Sequence, residues 1–138
     1  DPHNLGAILR SAEAAGVHGV IIPKRNSVTL NYTVAKTSAG AVEYVPVVKV
    51  ANLPAAIDEL KSRGVWIFGA DMDGTDYTAL DYSGSIALVI GSEGKGIGRL
   101  VREKCDFIAS LPMRGKINSL NASVAAGILM FEAAKHRN

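Results

Sequence analysis

Hydrophobic residues along the chain alternate between two periods. In residues 5–15 the apolar positions Leu5, Ile8, Leu9 and Ala12 fall on one helical face, with Asn4 placed to cap the start and Gly16 to end it. A buried strand over 17–22 follows and stops at Pro23. The pattern then predicts a helix over 31–38 and a β-branched strand over 45–50 with Pro46 near its start. Residues 53–63 read as a helix with Asn52 as cap, Pro54 in the first turn and Gly64 at the end. Residues 65–70 and 86–90 are near-continuous apolar runs, the pattern of parallel strands covered on both faces. A short helix over 97–104, a strand over 107–111 and a long helix over 121–136 complete the chain.

Strands separated by helices imply βαβ units, hence an α/β fold with a mostly parallel sheet and helices on both faces. Ligands of such sheets bind beyond the carboxyl ends of the strands. The polar or Gly-rich segments there are Gly69-Ala70-Asp71, Gly91-Ser92-Glu93-Gly94 and the stretch 112–119. These three loops are expected to converge.

Composition narrows the class. With 138 residues, 48% apolar and 20% charged, the chain fits one globular domain over 1–138. No apolar run reaches the roughly 18 to 20 residues that span a bilayer, and no basic-then-apolar leader opens the sequence, so a cytoplasmic location without a membrane partner is expected. Cys105, the lone cysteine, precedes an apolar run and reads as a half-buried packing residue. His3, His18 and His136 are scattered, and Asp71-Met-Asp-Gly-Thr-Asp76 lacks the glycine of a calcium loop at its sixth position. No metal site is expected. The opening Asp1-Pro2-His3-Asn4 leads straight into a helix, as if a strand had just ended, which suggests a fragment of a longer protein.

The formal net charge of +2 says little, but its distribution says more. From Glu93 to Lys116 six cations face three acids, whereas from Asp58 to Asp81 two cations face six acids. The first region could face a polyanion.

The segment Gly91-Ser-Glu-Gly-Lys-Gly-Ile-Gly98 resembles a nucleotide loop, because glycine lets backbone N–H groups approach a ligand. It is not a phosphate loop: Ile97 and Gly98 follow Gly96 where Lys and Ser or Thr are needed. Nor is it a dinucleotide fingerprint, since Arg99 occupies the third glycine position. Arg10 lies about 600° around the helix from Asn4 and off the apolar stripe, so it should be exposed. Ser119, Asn121 and Ser123 suit the capping of the last helix.

Together these segments carry more than they do singly. Asp1-Pro-His-Asn-Leu-Gly-Ala-Ile-Leu-Arg10, Leu88-Val-Ile-Gly-Ser-Glu-Gly-Lys-Gly-Ile97, Leu111-Pro-Met113 and Ile117-Asn-Ser-Leu-Asn-Ala-Ser-Val-Ala125 resemble, in order and spacing, the three motifs of the SpoU (TrmH-like) branch of the SPOUT RNA methyltransferases. The opening motif looks closest to the bacterial members that methylate a guanosine ribose in large-subunit (23S) ribosomal RNA. The resemblance implies a C-terminal deep trefoil knot, S-adenosylmethionine as cofactor, RNA as partner, and a homodimer with shared active sites. Relatives carry a strand ahead of the first motif and usually a small N-terminal RNA-binding domain, both absent from these residues.

Methyl transfer to a ribose 2′-hydroxyl needs donor and acceptor aligned and the hydroxyl proton removed, with no metal required. By this resemblance Asn4, Arg10, Glu93, Ser119 and Asn121 form the catalytic set. The resemblance also implies that Gly69, Gly91, Leu111, Leu120 and Ser123 hold the cofactor, while the cations Lys95, Arg99, Arg102, Arg114 and Lys116, which flank the ligand loops, are expected to contact RNA phosphate. Arginine is a poor general base, its pKa exceeding about 12, so Arg10 is expected to clamp phosphate and ease alkoxide formation. Three rivals remain: a tRNA ribose methyltransferase of the same family, a base methyltransferase of the superfamily, and a noncatalytic RNA-binding module.

Overall fold

The computed structural model describes residues 2–24, 36–92, 95–117 and 119–137. They form two compact units, Asp1–Leu53 and Pro54–Asn138. All strand pairs within each unit's ladder are parallel, as the alternating pattern predicts.

In the first unit, helix α1 spans Pro2–Ala15. It starts upstream of the expected cap, so Asn4 sits inside the helix, half-buried, and does not cap it. The physical reason is Pro2, whose fixed φ suits the first turn and whose missing N–H needs no partner. Leu5, Leu9 and Ala12 make the buried stripe, and Arg10 points away from it, exposed. Gly16 ends the helix at φ 80°. Strand β1 (Val20–Pro23) pairs in register with β2 (Val47–Val50), Val20 opposite Val47. Between them a 3-10 turn, Ala41–Glu43, packs on α1. Most of the helix expected over 31–38 lies outside the described residues.

The second unit opens with α2 (Leu53–Ser62), which buries Ile57 and is stopped by Gly64 at φ 85°. Three parallel strands follow in the order β4-β3-β5: β3 is Trp66–Asp76, β4 Ile86–Val89 and β5 Phe107–Ser110. Strand β3 runs beyond its expected end at Ala70. The chain bulges there, so that Ala70 and Thr75 both pair with Ala109, and Asp73 takes a left-handed φ of 57° within the bulge. The acidic run expected to be a loop thus returns to the sheet at Asp76, opposite Ser110. Helix α3 spans Arg99–Lys104, and α4 spans Ala122–Ala134.

Phe68, Tyr82 and Ala133 form a core cluster against which Leu80, Ile86 and Leu88 pack, and Ile67, Ala109, Ala126 and Leu129 are buried as well. The Phe68 ring lies 4.7 Å from Tyr82 and 4.9 Å from Phe107. Burial pushes the Tyr82 phenol up to about 12, and its hydroxyl donates to the Tyr77 carbonyl at 2.6 Å. Cys105 is half-buried, as its setting predicts, and its thiol donates to the Val101 carbonyl at 3.3 Å. Desolvation raises the thiol pKa above its ordinary value, aided by the neighbouring Asp106 charge.

Candidate functional site

The three segments singled out from the sequence meet, as expected, around one cleft of about 210 Å³. Its first wall is the middle of β3 where the bulge begins, with Ala70, Asp71 and Met72. The glycine-rich segment after β4 supplies Ile90, Gly91, Ser92, Lys95 and Gly96. Strand β5 and its continuation add Ala109, Ser110, Leu111 and Met113. Ser119, Leu120, Ala122 and Ala125, leading into and along α4, close it.

The glycine-rich wall is a tight turn. Ser92 and Gly96 form an antiparallel bridge, with the Gly96 N–H donating to the Ser92 carbonyl at 3.2 Å. A Cβ on Gly91 would stand 2.1 Å from the Gly96 carbonyl oxygen, so no side chain fits there. Gly96 and Gly98 hold φ of 70° and 79°, which L side chains rarely adopt. This turn therefore needs glycine for space at Gly91 and for conformation at Gly96.

Asp71 fixes the opposite side. Arg102 of α3 pairs with the Asp71 carboxylate at 2.9 Å and also donates to the Met72 carbonyl at 3.0 Å. The same carboxylate abuts Gly96, where a Cβ would come within 2.6 Å of Oδ1.

At the fourth wall Asn121 caps α4. Its Oδ1 accepts from the Ser123 N–H at 2.9 Å and from the Val124 N–H at 3.4 Å, and also from the Ser123 hydroxyl.

Of the residues singled out from the sequence, Gly91, Lys95, Leu111, Ser119 and Leu120 are brought together as lining of this cleft. Gly69 lies one residue beneath the lining, with its Cα packed toward the Cys105 sulfur and the Ile97 side chain. Ser123 sits in the first turn of α4, half-buried and bonded to Asn121. Asn4 and Arg10 lie on α1 in the other unit, and Glu93 lies outside the described residues. Arg99 is exposed and paired with Glu103 at 3.0 Å. Arg114 and Lys116 are exposed in the segment between β5 and α4. Arg102, grouped with the phosphate-facing cations from sequence, is instead committed to Asp71 and Met72.

Asp71 and Met113 lie in loops expected to converge here, whereas Met72, Ala122 and Ala125 are lining residues that the sequence did not single out. The small residues Ala122 and Ala125, three apart at the start of a helix, were the available signal for close approach. The pairing of Asp71 with Arg102 had none, because it depends on where α3 packs.

The cleft combines apolar walls with a polar rim of backbone groups and few side-chain charges. Leu111, Leu120, Met113, Ala109 and Ala125 offer flat apolar contact, while a closely approaching backbone at Gly91 leaves main-chain groups accessible. That donor set fits the base and sugar of a nucleoside better than a phosphate chain. Among the described residues no group of three His, Cys, Asp or Glu side chains could hold a metal ion. No described helix is long and apolar enough to cross a membrane.

Comparison with known proteins follows the same lines. The YacO protein of Bacillus subtilis (strain 168), assigned to the TrmH family of tRNA/rRNA methyltransferases, is 57% identical over 139 aligned residues. A Staphylococcus aureus (strain COL) protein assigned to the same family is 58% identical. Both alignments cover all of this chain but 56% of the relative, so the chain spans little more than half their length.

Among solved structures, the SpoU methyltransferase AviRb of Streptomyces viridochromogenes, in complex with AdoMet, superposes with a TM-score of 0.89 at 31% identity. That match covers 98% of this chain and 56% of AviRb. An AdoMet-bound rRNA methyltransferase of Sinorhizobium meliloti gives a TM-score of 0.91 at 32% identity, covering 99% and 52%. The family model for the SpoU rRNA methylases matches residues 1–131, and the chain belongs to the SpoU rRNA methylase family.

Proposed function

We propose that this chain is the catalytic domain of an S-adenosylmethionine-dependent RNA 2′-O-ribose methyltransferase, and that its target is a guanosine of large-subunit (23S) ribosomal RNA. The observation that carries the reading is the cleft between the bulge of β3 and the segments that follow β4 and β5, lined by Gly91, Leu111, Ser119 and Leu120. Family relatives with the same fold bind AdoMet, and one relative of 28% identity and TM-score 0.89 is an RNA 2′-O ribose methyltransferase. The choice of guanosine and of ribosomal RNA rests on the opening motif, residues 1–10.

The cofactor supplies an activated methyl group on a sulfonium. Gly91, Leu111 and Leu120 would hold it, the glycine through main-chain groups and the leucines through apolar contact as well; Gly69 and Ser123 support that wall from behind. The cleft volume lies below the roughly 300–1,000 Å³ of pockets that enclose a drug-sized ligand, so it encloses the nucleoside part and leaves the remainder at the rim. Ser119 and Asn121 are assigned toward the RNA, and family likeness adds Asn4 and Glu93 to the catalytic set. Arg10 clamps the phosphate beside the target ribose, lowering the cost of the developing alkoxide, and the hydroxyl proton passes to phosphate or water. Lys95, Arg99, Arg114 and Lys116 bind flanking phosphates. The trefoil knot implied by the family likeness belongs to this proposal.

A homodimer with shared sites is part of the same reading. Helix α4 is apolar almost all round, and its Val124 and Phe131 are each 50% exposed. Such a helix is normally covered on every side, which a second copy would provide.

The test uses cofactor carrying a deuterated methyl, ribosomal RNA fragments and transfer RNA, with mass spectrometry of digested nucleosides. The expected product is ribose-methylated guanosine from ribosomal RNA. Label on a base, label only in transfer RNA, or RNA binding without label would each replace this reading by one of its rivals. Arg10→Lys retaining near-normal turnover at saturating cofactor and RNA would eliminate the bidentate role of Arg10.

A further inference from the structure

Asp71 is the only carboxylate among the described residues lining the cleft, and Arg102 holds it. Its side chain is 18% exposed and that of Arg102 36%, so the pair is partly shielded from water. One nitrogen of Arg102 reaches two acceptors on β3, the Asp71 carboxylate at 2.9 Å and the Met72 carbonyl at 3.0 Å. The Asp71 Oδ1 also accepts from the Met72 N–H at 2.8 Å. These contacts lie at the beginning of the β3 bulge, where pairing with β5 is interrupted between Ala70 and Thr75. Sheet hydrogen bonds do not define the chain path there, and the arginine does.

The same carboxylate is the surface on which the glycine-rich turn rests. Gly96 stands so close that a Cβ would meet the Asp71 Oδ1 at 2.6 Å and Cγ at 3.0 Å. Helix α3 begins three residues beyond Gly96, and Arg102 on that helix returns to Asp71. Turn, helix and strand end therefore form a closed loop of contacts with Asp71 at its junction.

We infer that the Asp71–Arg102 pair is a brace that sets the separation of the β3 wall and the glycine-rich wall, making Asp71 and Arg102 positioning residues for the cofactor. The inference rests on the function proposed above. A direct attraction between Asp71 and the cationic cofactor is the competing account, and it is weaker because Arg102 already neutralises the carboxylate and Lys95 adds a second positive charge to the lining.

The two accounts separate in a double-mutant cycle on S-adenosylmethionine binding, measured by calorimetry without RNA. The brace requires Asp71→Asn and Arg102→Met each to weaken binding by about tenfold, and the double variant to be no worse than either, because contacting partners couple. Arg102→Lys keeps a donor within reach of both acceptors and should restore most of the affinity. In turnover assays the cofactor KM rises, while the RNA KM and the saturated kcat stay within about twofold of wild type. A fold defect would instead lower kcat through the active fraction.

Additive losses would overturn the brace, because uncoupled residues do not act as one contact; tighter cofactor binding on Arg102→Met because Asp71 is freed would establish the direct-attraction account. Unchanged affinity in Arg102→Met would overturn the brace alone. Wild-type protein that does not bind S-adenosylmethionine would remove the proposed function and the brace with it.

Discussion

Replacing Gly91 by alanine puts one methyl group where the structure has none to spare. The added Cβ would stand 2.1 Å from the Gly96 oxygen, 2.2 Å from its carbonyl carbon and 2.7 Å from the Ile97 nitrogen. All three are main-chain atoms, so no side-chain rotation relieves the contact. Ordinary nonbonded contact is about 3.5–4 Å, so the turn must open by roughly 1 to 2 Å. Opening breaks the Ser92–Gly96 bridge and moves a cleft wall. Overpacking of this kind costs roughly 1–3 kcal/mol of stability. If half of that appears as distortion of the cofactor site, affinity falls by about threefold to tenfold.

Chemical denaturation and calorimetric titration with S-adenosylmethionine give the two numbers. Gly115→Ala is the neutral control, because a Cβ there meets nothing within 4 Å and the φ is not positive. Gly84→Ala is the strain control: its φ of 83° makes alanine unfavourable by about 1 kcal/mol, yet the space is open and cofactor binding should not change. Gly91→Ala with both stability and cofactor affinity equal to wild type would refute the assignment of this turn as a tightly closed cofactor wall.

Asn121→Ala should cost about 1 kcal/mol by removing the cap of α4, whereas Asn121→Asp keeps the acceptor and the stability; loss of turnover in Asn121→Asp with unchanged denaturation would separate a role toward RNA from the capping role. Charge reversal at Arg114 and Lys116 should weaken RNA binding across sequences and flatten its salt dependence by roughly one ion per residue, and unchanged filter-binding slopes would exclude both from the phosphate contact. Phe131→Asp should convert a dimer to monomer in analytical ultracentrifugation, since it places a charge on the uncovered apolar side of α4; an unchanged sedimentation coefficient would rule out that side as the interface. Cys105 should react slowly with a thiol reagent at pH 7 and faster as pH rises above its ordinary value, because burial raises its pKa. The folded state resists that ionisation, so the stabilisation is complete below the ordinary thiol pKa and declines as pH rises toward the folded value.

The sequence alone determined the parallel α/β plan, the end of α1 at Gly16 and of α2 at Gly64, and the convergence of three loops. Those features follow from local periodicity, from the φ that glycine tolerates, and from the rule that ligands sit beyond strand carboxyl ends. It also located Gly91, Leu111, Ser119 and Leu120, through motif likeness. Tertiary structure decided what local pattern does not encode. The β3 bulge exists because residues far apart in sequence pair out of step, Ala70 and Thr75 sharing Ala109. Asp71, in a loop that the sequence placed at the ligand site, lines the cleft at the start of that bulge, and its pairing with Arg102 is set by the fold. Arg102, equivalent by charge to its cationic neighbours, pairs with Asp71 because α3 brings it within 2.9 Å of that carboxylate. Charge and spacing are properties of the sequence; the partner that consumes a charge is a property of the fold.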